Sequence, residues 1–261
     1  MTLNQRVFIT GASSGIGSAL AHNYASQGAV LGLAARRLEQ LESLAAELTA
    51  AGAKSVLCYP LDVADAPALR SAAEDFMAHG GAPDIVIANA GISSGTLTEL
   101  SEDLAVIRRI LETNVYGMAA TFSPFIQAMK QRGSGRLVGI ASVAGIRGLP
   151  GAEAYSASKA ATINYLESLR LEMRSSGVKV VTIAPGYIKT AMTAINPYPM
   201  PFMLPADEAA RRFSRAIERG TSYTVIPWQM GVVAKVLRML PNWLYDLLFA
   251  NAPHKPRKVA N

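Results

Sequence analysis

The chain has 261 residues, of which 50% are hydrophobic and 17% are charged, and its formal net charge is +6. This length fits one globular domain of α/β size, with a full core that needs no disulfides. Cys58 is the only cysteine and the three histidines are scattered, which excludes a disulfide framework and argues against a metal site. No dense Lys/Arg block points to nucleic acid, although the positive charge suits an anionic ligand.

Strands and helices alternate along most of the chain. The first nine residues enter a strand without a signal-peptide pattern, so we expect a cytoplasmic protein. Apolar and β-branched runs predict six strands, and apolar spacing predicts helices between them. The predicted strands cover residues 6–10, 30–35, 55–59, 85–88, 137–141 and 178–183, and the predicted helices cover residues 16–28, 38–51, 64–79, 102–131 and 155–175. This order predicts an α/β fold, a Rossmann-type doubly wound parallel β-sheet flanked by helices in a single domain.

A glycine cluster follows the first strand. Gly11, Gly15 and Gly17 separate this strand from the first helix, and Ser13, Ser14 and Ile16 fill the loop between them. Glycine lets the backbone approach a pyrophosphate closely, and the helix N-terminus supplies N–H donors. A tight turn is the alternative, and three residues between the first two glycines differ from the usual dinucleotide spacing. We favour nucleotide binding.

The end of the second strand chooses between the two nicotinamide cofactors. Ala35 and Arg36 stand where an acidic residue would bind the ribose 2′-hydroxyl of NAD(H). Arg36 can instead pair with a 2′-phosphate. We therefore favour NADP(H) over NAD(H), with Arg37 as a bystander. The alternative is that both arginines only begin a solvated helix.

Tyr155 and Lys159 stand four residues apart, so they lie on the same face of a predicted helix. A nearby ammonium favours the ionised form of a phenol, which allows proton transfer near neutral pH. The pair alone is weak evidence for a catalytic site, because a helix rich in Ala and Ser can contain this spacing by chance.

Together, these motifs resemble those of the short-chain dehydrogenase/reductase family, over about residues 6–190. The resemblance rests on residues 10–17, Asp62–Val63, Asn89–Ala90–Gly91, Asn114, Ser142, Tyr155, Lys159 and the Pro185–Gly186 stretch ending at Thr190. Two positions depart from the family pattern. Ala88 stands where a second asparagine is common, and Ser14 is not the basic residue of some NADP-using members.

The resemblance implies a catalytic role for four residues. Tyr155 would exchange a proton with the substrate oxygen, and Ser142 would hydrogen-bond that oxygen. Lys159 would lower the pKa of Tyr155 and hold the ribose next to the nicotinamide. Asn114 would support a proton relay to Lys159.

The resemblance also implies cofactor contacts. Asp62 and Val63 would contact the adenine, although Asp62 as a helix N-cap is an alternative. The adenosine ribose and the nicotinamide end would be lined by Asn89, Ala90, Gly91, Pro185, Gly186, Ile188 and Thr190. Asn89 also fits a strand-end turn.

The last third of the chain is less informative. We expect the main domain to span residues 1–226, with a substrate lid near 187–220 and a helical extension with a basic tail over 227–261. Large apolar residues in the lid favour an apolar carbonyl or alcohol substrate, or else a loop packed on the core or on a partner: Met192, Ile195, Tyr198, Met200, Phe202, Met203 and Leu204.

Apolar residues also predict contacts with other molecules. A homodimer or homotetramer is expected from apolar positions beyond one core-facing stripe, as the family implies: Ile107, Ile110, Leu111, Val115, Met118 and Phe122. After residue 227, Pro241 divides two short amphipathic helices. They fit a cover for the pocket, a subunit contact, or peripheral membrane contact aided by the tail at His254 to Lys258.

Three functions follow from these observations. The leading one is an NADP(H)-dependent oxidoreductase acting on an apolar ketone, aldehyde or sterol-like compound. The alternatives are a 3-oxoacyl-thioester reductase and a non-catalytic NADP(H)-binding protein.

Overall fold

Seven parallel strands form the central sheet of the computed structural model, which describes residues 5–257. The strands are β1 Arg6–Thr10, β2 Val30–Ala35, β3 Ser55–Pro60, β4 Ile85–Ala88, β5 Gly135–Ile140, β6 Val178–Pro185 and β9 Tyr223–Ile226. Their order across the sheet is β3-β2-β1-β4-β5-β6-β9. A separate parallel pair consists of β7 Ile188–Lys189 and β8 Leu204–Pro205. The parallel Rossmann-type sheet is therefore confirmed, and Lys258 and the first four residues lie outside the described chain.

Helices connect the strands and cover both faces of the sheet. They are α1 Gly15–Ala25, α2 Leu38–Ala50, α3 Ala66–Ala78, α4 Asp103–Leu111, α5 Gly117–Arg132, α6 Glu153–Glu172, α7 Ala191–Ala194, α8 Ala206–Arg219, α9 Trp228–Met239 and α10 Asn242–Phe249. Local chemistry fixes several ends. Asp65 caps α3 by accepting a bond from the Ala68 N–H at 3.0 Å, so the N-cap is Asp65 and not Asp62.

The alternation of side chains along each strand divides the core into two layers. Val7 and Ile9 of β1 face one layer, which includes buried residues of α1, α2 and α8. Phe8, between them, faces the other layer with buried residues of α3, α5 and α6. Because both faces of the strands are covered, their sequences read as continuous apolar runs.

The strand order places a crevice at the carboxyl ends of β1 and β4. β1 pairs with β2 on one side and with β4 on the other, so successive crossovers run in opposite directions from β1. Open α/β sheets bind their ligands at this switch point. The segments that follow β1 to β6 all begin at this edge and line the crevice.

The long helix predicted over residues 102–131 is interrupted. A π-helical turn, Glu112–Tyr116, separates α4 from α5 and contains Asn114. The Asn114 amide bonds to the backbone of Ile92 in another loop, which supports this widened turn. Single π turns inside α-helices are frequent at functional sites.

The region predicted as a lid contains more structure than expected. Residues 206–219 form α8, and its Phe213 and Ile217 are fully buried against the core. β9 also joins the main sheet beside β6. The predicted division at Pro241 is confirmed, since α9 ends before it and α10 follows it.

Candidate active site

The loop between β1 and α1 is shaped by its glycines. Gly11 and Gly15 have φ values of +64° and +57°, a region that L side chains rarely adopt. A Cβ at Gly11 would lie 2.7 Å from the Ala90 Cα, and one at Gly17 would overlap the Gly11 carbonyl oxygen. The backbone therefore runs close to its neighbours and leaves its outer side open. Ser14 precedes α1 without a side-chain cap bond, so the first helical N–H groups remain available for an anion.

Asn89 holds the glycine loop against the end of β4. Its Nδ2 donates to the carbonyl oxygens of Thr10 and Gly11, each at 3.1 Å. The interpretation of Asn89 as a strand-end residue is therefore compatible with a place at the cleft, which Asn89 also lines.

Three arginines surround the end of the cleft near β2. Arg36 and Arg37 are exposed at the end of β2, and Arg109 reaches the same cleft from α4. Arg109 forms an ion pair with Asp62, whose Oδ1 also accepts the Ala64 N–H at 2.9 Å. Burial alone would raise the pKa of Asp62, but these hydrogen bonds and the nearby Arg36 charge lower it overall. The sequence contained no local signal for Arg109, because only the fold brings α4 to the end of β3.

The other end of the cleft contains the tyrosine and the lysine. The Lys159 Nζ lies 5.9 Å from the centre of the Tyr155 ring and donates to the Ile140 carbonyl oxygen at 2.8 Å. The Ser142 side chain acts on the Tyr155 hydroxyl by lowering its pKa, and the Ser142 Oγ accepts the Ala144 N–H at 3.1 Å. The end of β5 and the first two turns of α6 thus bring Ser142, Tyr155 and Lys159 together.

Burial controls the protonation of both titratable groups. It raises the pKa of Tyr155, although the hydrogen bond with Ser142 acts in the opposite direction. Burial also lowers the pKa of Lys159 to about 8. The lysine is therefore close to losing its proton under mildly alkaline conditions.

Asn114 lies behind the cleft and does not line it. Its Oδ1 accepts the Ile92 N–H at 2.8 Å, and its Nδ2 donates to the Ile92 carbonyl and to the Ser158 Oγ. A Cβ at Gly91 would lie 3.2 Å from the Asn114 Oδ1 and 3.5 Å from the Lys159 Nζ. A Cβ at Gly91 would therefore be tight against Asn114 and in ordinary contact with Lys159, so both side chains border the same point.

The segment after β6 forms the remaining wall. Thr190 caps α7 in a reciprocal arrangement with Thr193, and its Cγ2 would lie 3.2 Å from a Cβ at Gly15. Met192 lines the cleft but is 38% exposed, while Phe202 is 50% exposed. The apolar lid residues are therefore only partly packed on the core.

One cleft collects nearly all the predicted site residues. Gly17, which is packed behind the loop, and Asn114 are the exceptions. The predicted residues that line it are Gly11, Ser13, Ser14, Gly15, Ile16, Arg36, Asp62, Val63, Asn89, Ala90, Gly91, Ser142, Tyr155, Lys159, Pro185, Gly186, Ile188 and Thr190.

The family model for short chain dehydrogenases matches residues 5–197 of this chain. The chain belongs to the short-chain dehydrogenase/reductase family. Members of this family are oxidoreductases, and an uncharacterized oxidoreductase of Myxococcus xanthus is 42% identical over 238 residues, which cover 91% of this chain and 93% of the relative. An 11-beta-hydroxysteroid dehydrogenase-like protein of Arabidopsis thaliana is 32% identical over 253 residues, with 94% and 82% coverage.

Solved structures of the family share the architecture. An alcohol dehydrogenase from Thermococcus sibiricus, complexed with 5-hydroxy-NADP, superposes with a TM-score of 0.75 at 28% identity, covering 85% of this chain and 95% of that one. A 3-ketoacyl-ACP reductase from Sinorhizobium meliloti superposes with a TM-score of 0.77 at 28% identity, covering 87% and 99%. The glycine cradle and the open helix N-terminus of this dehydrogenase/reductase fit a dinucleotide of the kind that such relatives bind.

The C-terminal helices of this dehydrogenase/reductase pack on the loop that follows Ser142. Arg147 donates to the carbonyl oxygens of Leu237 and Leu240 at 2.9 and 2.8 Å and stacks on the Tyr245 ring. Tyr245 in turn donates to the Gly148 carbonyl oxygen. These contacts favour the interpretation of the two helices as a cover over this side of the site.

Their outer face is apolar and exposed. It consists of Trp228, Val232, Val233, Val236, Met239, Trp243, Leu247 and Leu248. Within residues 5–257, no helix has the length and apolar character needed to cross a bilayer. Over the same residues, no group of three or more His, Cys, Asp or Glu side chains is arranged for a metal ion.

Proposed function

We propose that the chain is an NADP(H)-dependent oxidoreductase that transfers hydride between the nicotinamide and the carbonyl or alcohol carbon of a small apolar substrate. One observation carries this proposal. Ser142, Tyr155 and Lys159 line one end of a cleft whose other parts are the glycine loop and the exposed Arg36. A protein that only binds a nucleotide has no need of the first three residues together.

The cofactor half of the cleft would hold NADP(H) along its length. The glycine loop and the N-terminus of α1 suit the pyrophosphate, and Lys159 suits the hydroxyl groups of the nicotinamide ribose. Asp62 and the loop at Asn89 suit the adenosine. When bound, the dinucleotide supplies or accepts the hydride.

Arg36 supports the choice of NADP(H). β2 ends at Ala35, so no carboxylate stands at this position to bind a 2′-hydroxyl or to repel a 2′-phosphate. Asp62, the nearby acid, is paired with Arg109, which leaves the Arg36 guanidinium to a phosphate. The Thermococcus sibiricus relative was solved with an NADP derivative, which agrees with this preference.

Tyr155 would act as the general acid in reduction and as the general base in oxidation. Its hydroxyl would give a proton to the substrate oxygen as hydride arrives, and Ser142 would donate a hydrogen bond to the same oxygen. The Lys159 ammonium, 5.9 Å from the ring centre, would favour the phenolate that forms.

An apolar substrate fits the wall formed after β6, where Met192 lines the cleft. The steroid dehydrogenase-like relative points in the same direction. The similarity to a 3-ketoacyl-ACP reductase favours a second candidate, the reduction of 3-oxoacyl thioesters.

A substrate panel separates these candidates. The oxidation of NADPH is followed by absorbance with apolar ketones, aldehydes, steroids and 3-oxoacyl thioesters, each offered with and without an acyl carrier. Turnover of free ketones or aldehydes supports the proposal, and turnover that requires the carrier thioester supports the second candidate. If the protein binds NADPH but turns over no compound in either direction, the result supports a non-catalytic NADP(H)-binding protein.

A further inference from the structure

The last described residues return from α10 to the substrate side of the active site. The Gly95 N–H donates to the Pro256 carbonyl oxygen at 3.1 Å, and a side chain at Gly95 would overlap the Lys255 backbone. His254 packs against Gly151, where a Cβ would lie 2.7 Å from the imidazole Cγ. Residues 251–257, here named the C-terminal tail, therefore run between the loop after β4 and the loop before α6.

Two carboxylates anchor the end of this tail. The Arg257 Nε and Nη2 donate to the two carboxylate oxygens of Asp103 at 2.9 and 3.0 Å, and Nη2 also reaches Glu102 at 3.2 Å. The Asp103 side chain is only 8% exposed and also accepts the Leu97 N–H at 2.8 Å. Two hydrogen bonds from one arginine to one carboxylate require a specific geometry. The contact of Arg257 with Asp103 therefore gives the tail a defined position.

Lys255 lies in the middle of the tail and faces the reacting tyrosine. Its Nζ donates to the Ser93 Oγ at 2.8 Å and lies 5.7 Å from the centre of the Tyr155 ring. The Lys159 Nζ lies 5.9 Å from the same centre. Two ammonium groups thus stand at almost equal distances from one tyrosine, one from α6 and one from the tail.

We propose that Lys255 is a positioning residue that stabilises the phenolate form of Tyr155, and that the Arg257 anchor holds it there. The inference rests on the proposed function only in assigning proton transfer to Tyr155. A cation within about 6 Å favours the ionised form of a phenol, and Lys159 alone supplies this charge incompletely once it begins to deprotonate near pH 8. Lys255 adds a positive charge from a separate element.

Among residues 5–257, the other polar and titratable groups identified near Tyr155 do not supply this charge. Ser142 carries a neutral hydroxyl, and Tyr198 of the lid interacts with Tyr155 as a second phenol. Glu153, in the first turn of α6, is an acid, and at the far end of the tail Arg257 is held by Asp103 and Glu102. His254 is the remaining titratable group of the tail, and it packs on Gly151.

The pH dependence of kcat/KM for oxidation of the alcohol tests the proposal. With the charge removed in Lys255→Met, the rising limb that belongs to Tyr155 should move to higher pH by about one unit, because the phenolate loses a nearby cation. Lys255→Arg should keep the limb within a few tenths of a unit. Arg257→Gln should move it in the same direction as Lys255→Met, although Lys255 is intact. Lys235→Met, at an exposed position of α9, is the control of equal charge change and should leave the profile unchanged.

A second readout does not depend on turnover. The ionisation of Tyr155 is followed by NMR of ring-labelled tyrosine, with its signal assigned by its loss in Tyr155→Phe, and the other tyrosine signals report whether each variant is folded. A higher pKa of Tyr155 in Lys255→Met supports the proposal even if the protein turns over no substrate. In that case only the proposed function fails. An unchanged Tyr155 titration in a folded Lys255→Met variant, or a change in KM with an unmoved pH limb, would overturn it.

Discussion

Arg36 is the residue on which the proposed preference for NADP(H) depends. It is exposed at the end of β2, where its guanidinium can form charge-assisted hydrogen bonds with a 2′-phosphate. Such bonds contribute about 1.5–3 kcal/mol, so Arg36→Ala should weaken NADPH binding by roughly tenfold to a hundredfold and NADH binding much less. Calorimetric titration of both cofactors gives the two dissociation constants.

Arg215→Ala is the matched control, because Arg215 is exposed on α8 and lies outside the cleft. It should change neither dissociation constant by more than a small factor. Equal losses for NADPH and NADH in Arg36→Ala, or tighter binding of NADH by the unmodified protein, would contradict the assignment.

The lowered pKa of Lys159 predicts how the free energy of unfolding depends on pH in the absence of cofactor. Burial lowers its pKa from 10.5 to about 8, so between these values the unfolded chain binds more protons at this site than the folded chain. The contribution of Lys159 therefore makes stability rise with pH over that window. The free energy of unfolding of the unmodified protein, minus that of Lys159→Met, should therefore increase by about 2–3 kcal/mol from pH 7 to pH 10.

Urea denaturation at a series of pH values measures this difference. The same substitution at the exposed Lys235 is the control for the loss of one lysine side chain. A difference between the unmodified protein and Lys159→Met that does not change with pH would contradict the lowered pKa of Lys159.

The π-helical turn between α4 and α5 connects the helix to the loop after β4. Asn114→Leu keeps a side chain of similar size but removes three hydrogen bonds to Ile92 and Ser158. Each buried group left unpaired costs about 1–3 kcal/mol, so the variant should unfold at lower denaturant and the Ile92 amide should exchange faster. Glu112→Gln in the same turn breaks only a surface ion pair with Arg108 and should cost less than about 1 kcal/mol. Equal stability of the two variants would contradict the structural role of Asn114.

The elements of the sheet were accessible from the sequence because their signals are local. All six predicted strands are present, with ends that differ by at most two residues, since buried parallel strands read as short apolar runs. The π turn was not predicted, because the apolar spacing of α4 and α5 continues through it and the bonds between Asn114 and Ile92 join segments distant in the sequence. α8 and β9 were not assigned, because the proline-rich stretch before them reads as one irregular lid.

The site was predictable to the extent that its residues lie at strand ends and glycine turns. Neither Arg109 nor Lys255 lies at a strand end or in a glycine turn. Arg109 stands on an ordinary helix face, and Lys255 belongs to a basic tail that reads as solvated. Both reach the active site only through contacts between segments distant in the chain, with Asp62 and Ser93 respectively.

The assembly of the whole molecule stays a prediction. Of the six apolar residues on which we based an oligomer, Ile110, Met118 and Phe122 are buried within the chain itself. Leu111 is 40% exposed, and neighbouring Leu104 and Tyr116 add to an apolar surface on the same helices. The separate exposed face of α9 and α10 fits a subunit contact or the peripheral membrane contact predicted from the sequence.

Sedimentation distinguishes these surfaces. We expect the unmodified protein to sediment as a dimer or tetramer at micromolar concentration, because such exposed apolar area is normally covered. Leu111→Glu should lower the mass if α4 and α5 form the interface, whereas Leu247→Glu on α10 serves as the comparison and should not. The reverse result would place the interface on the C-terminal helices, and a monomer in every case would contradict the oligomer.

Tyr155→Phe tests the assignment of proton transfer to Tyr155, because it removes one hydroxyl from the site. Isothermal calorimetry with NADPH and steady-state turnover of the best substrate from the panel are measured on the same preparation. We predict an NADPH dissociation constant within about threefold of the unmodified value and a loss of turnover of roughly 10²–10⁴, the usual contribution of a positioned general acid. Substantial turnover in Tyr155→Phe, with cofactor binding intact, would show that the proton comes from another group and would contradict the account.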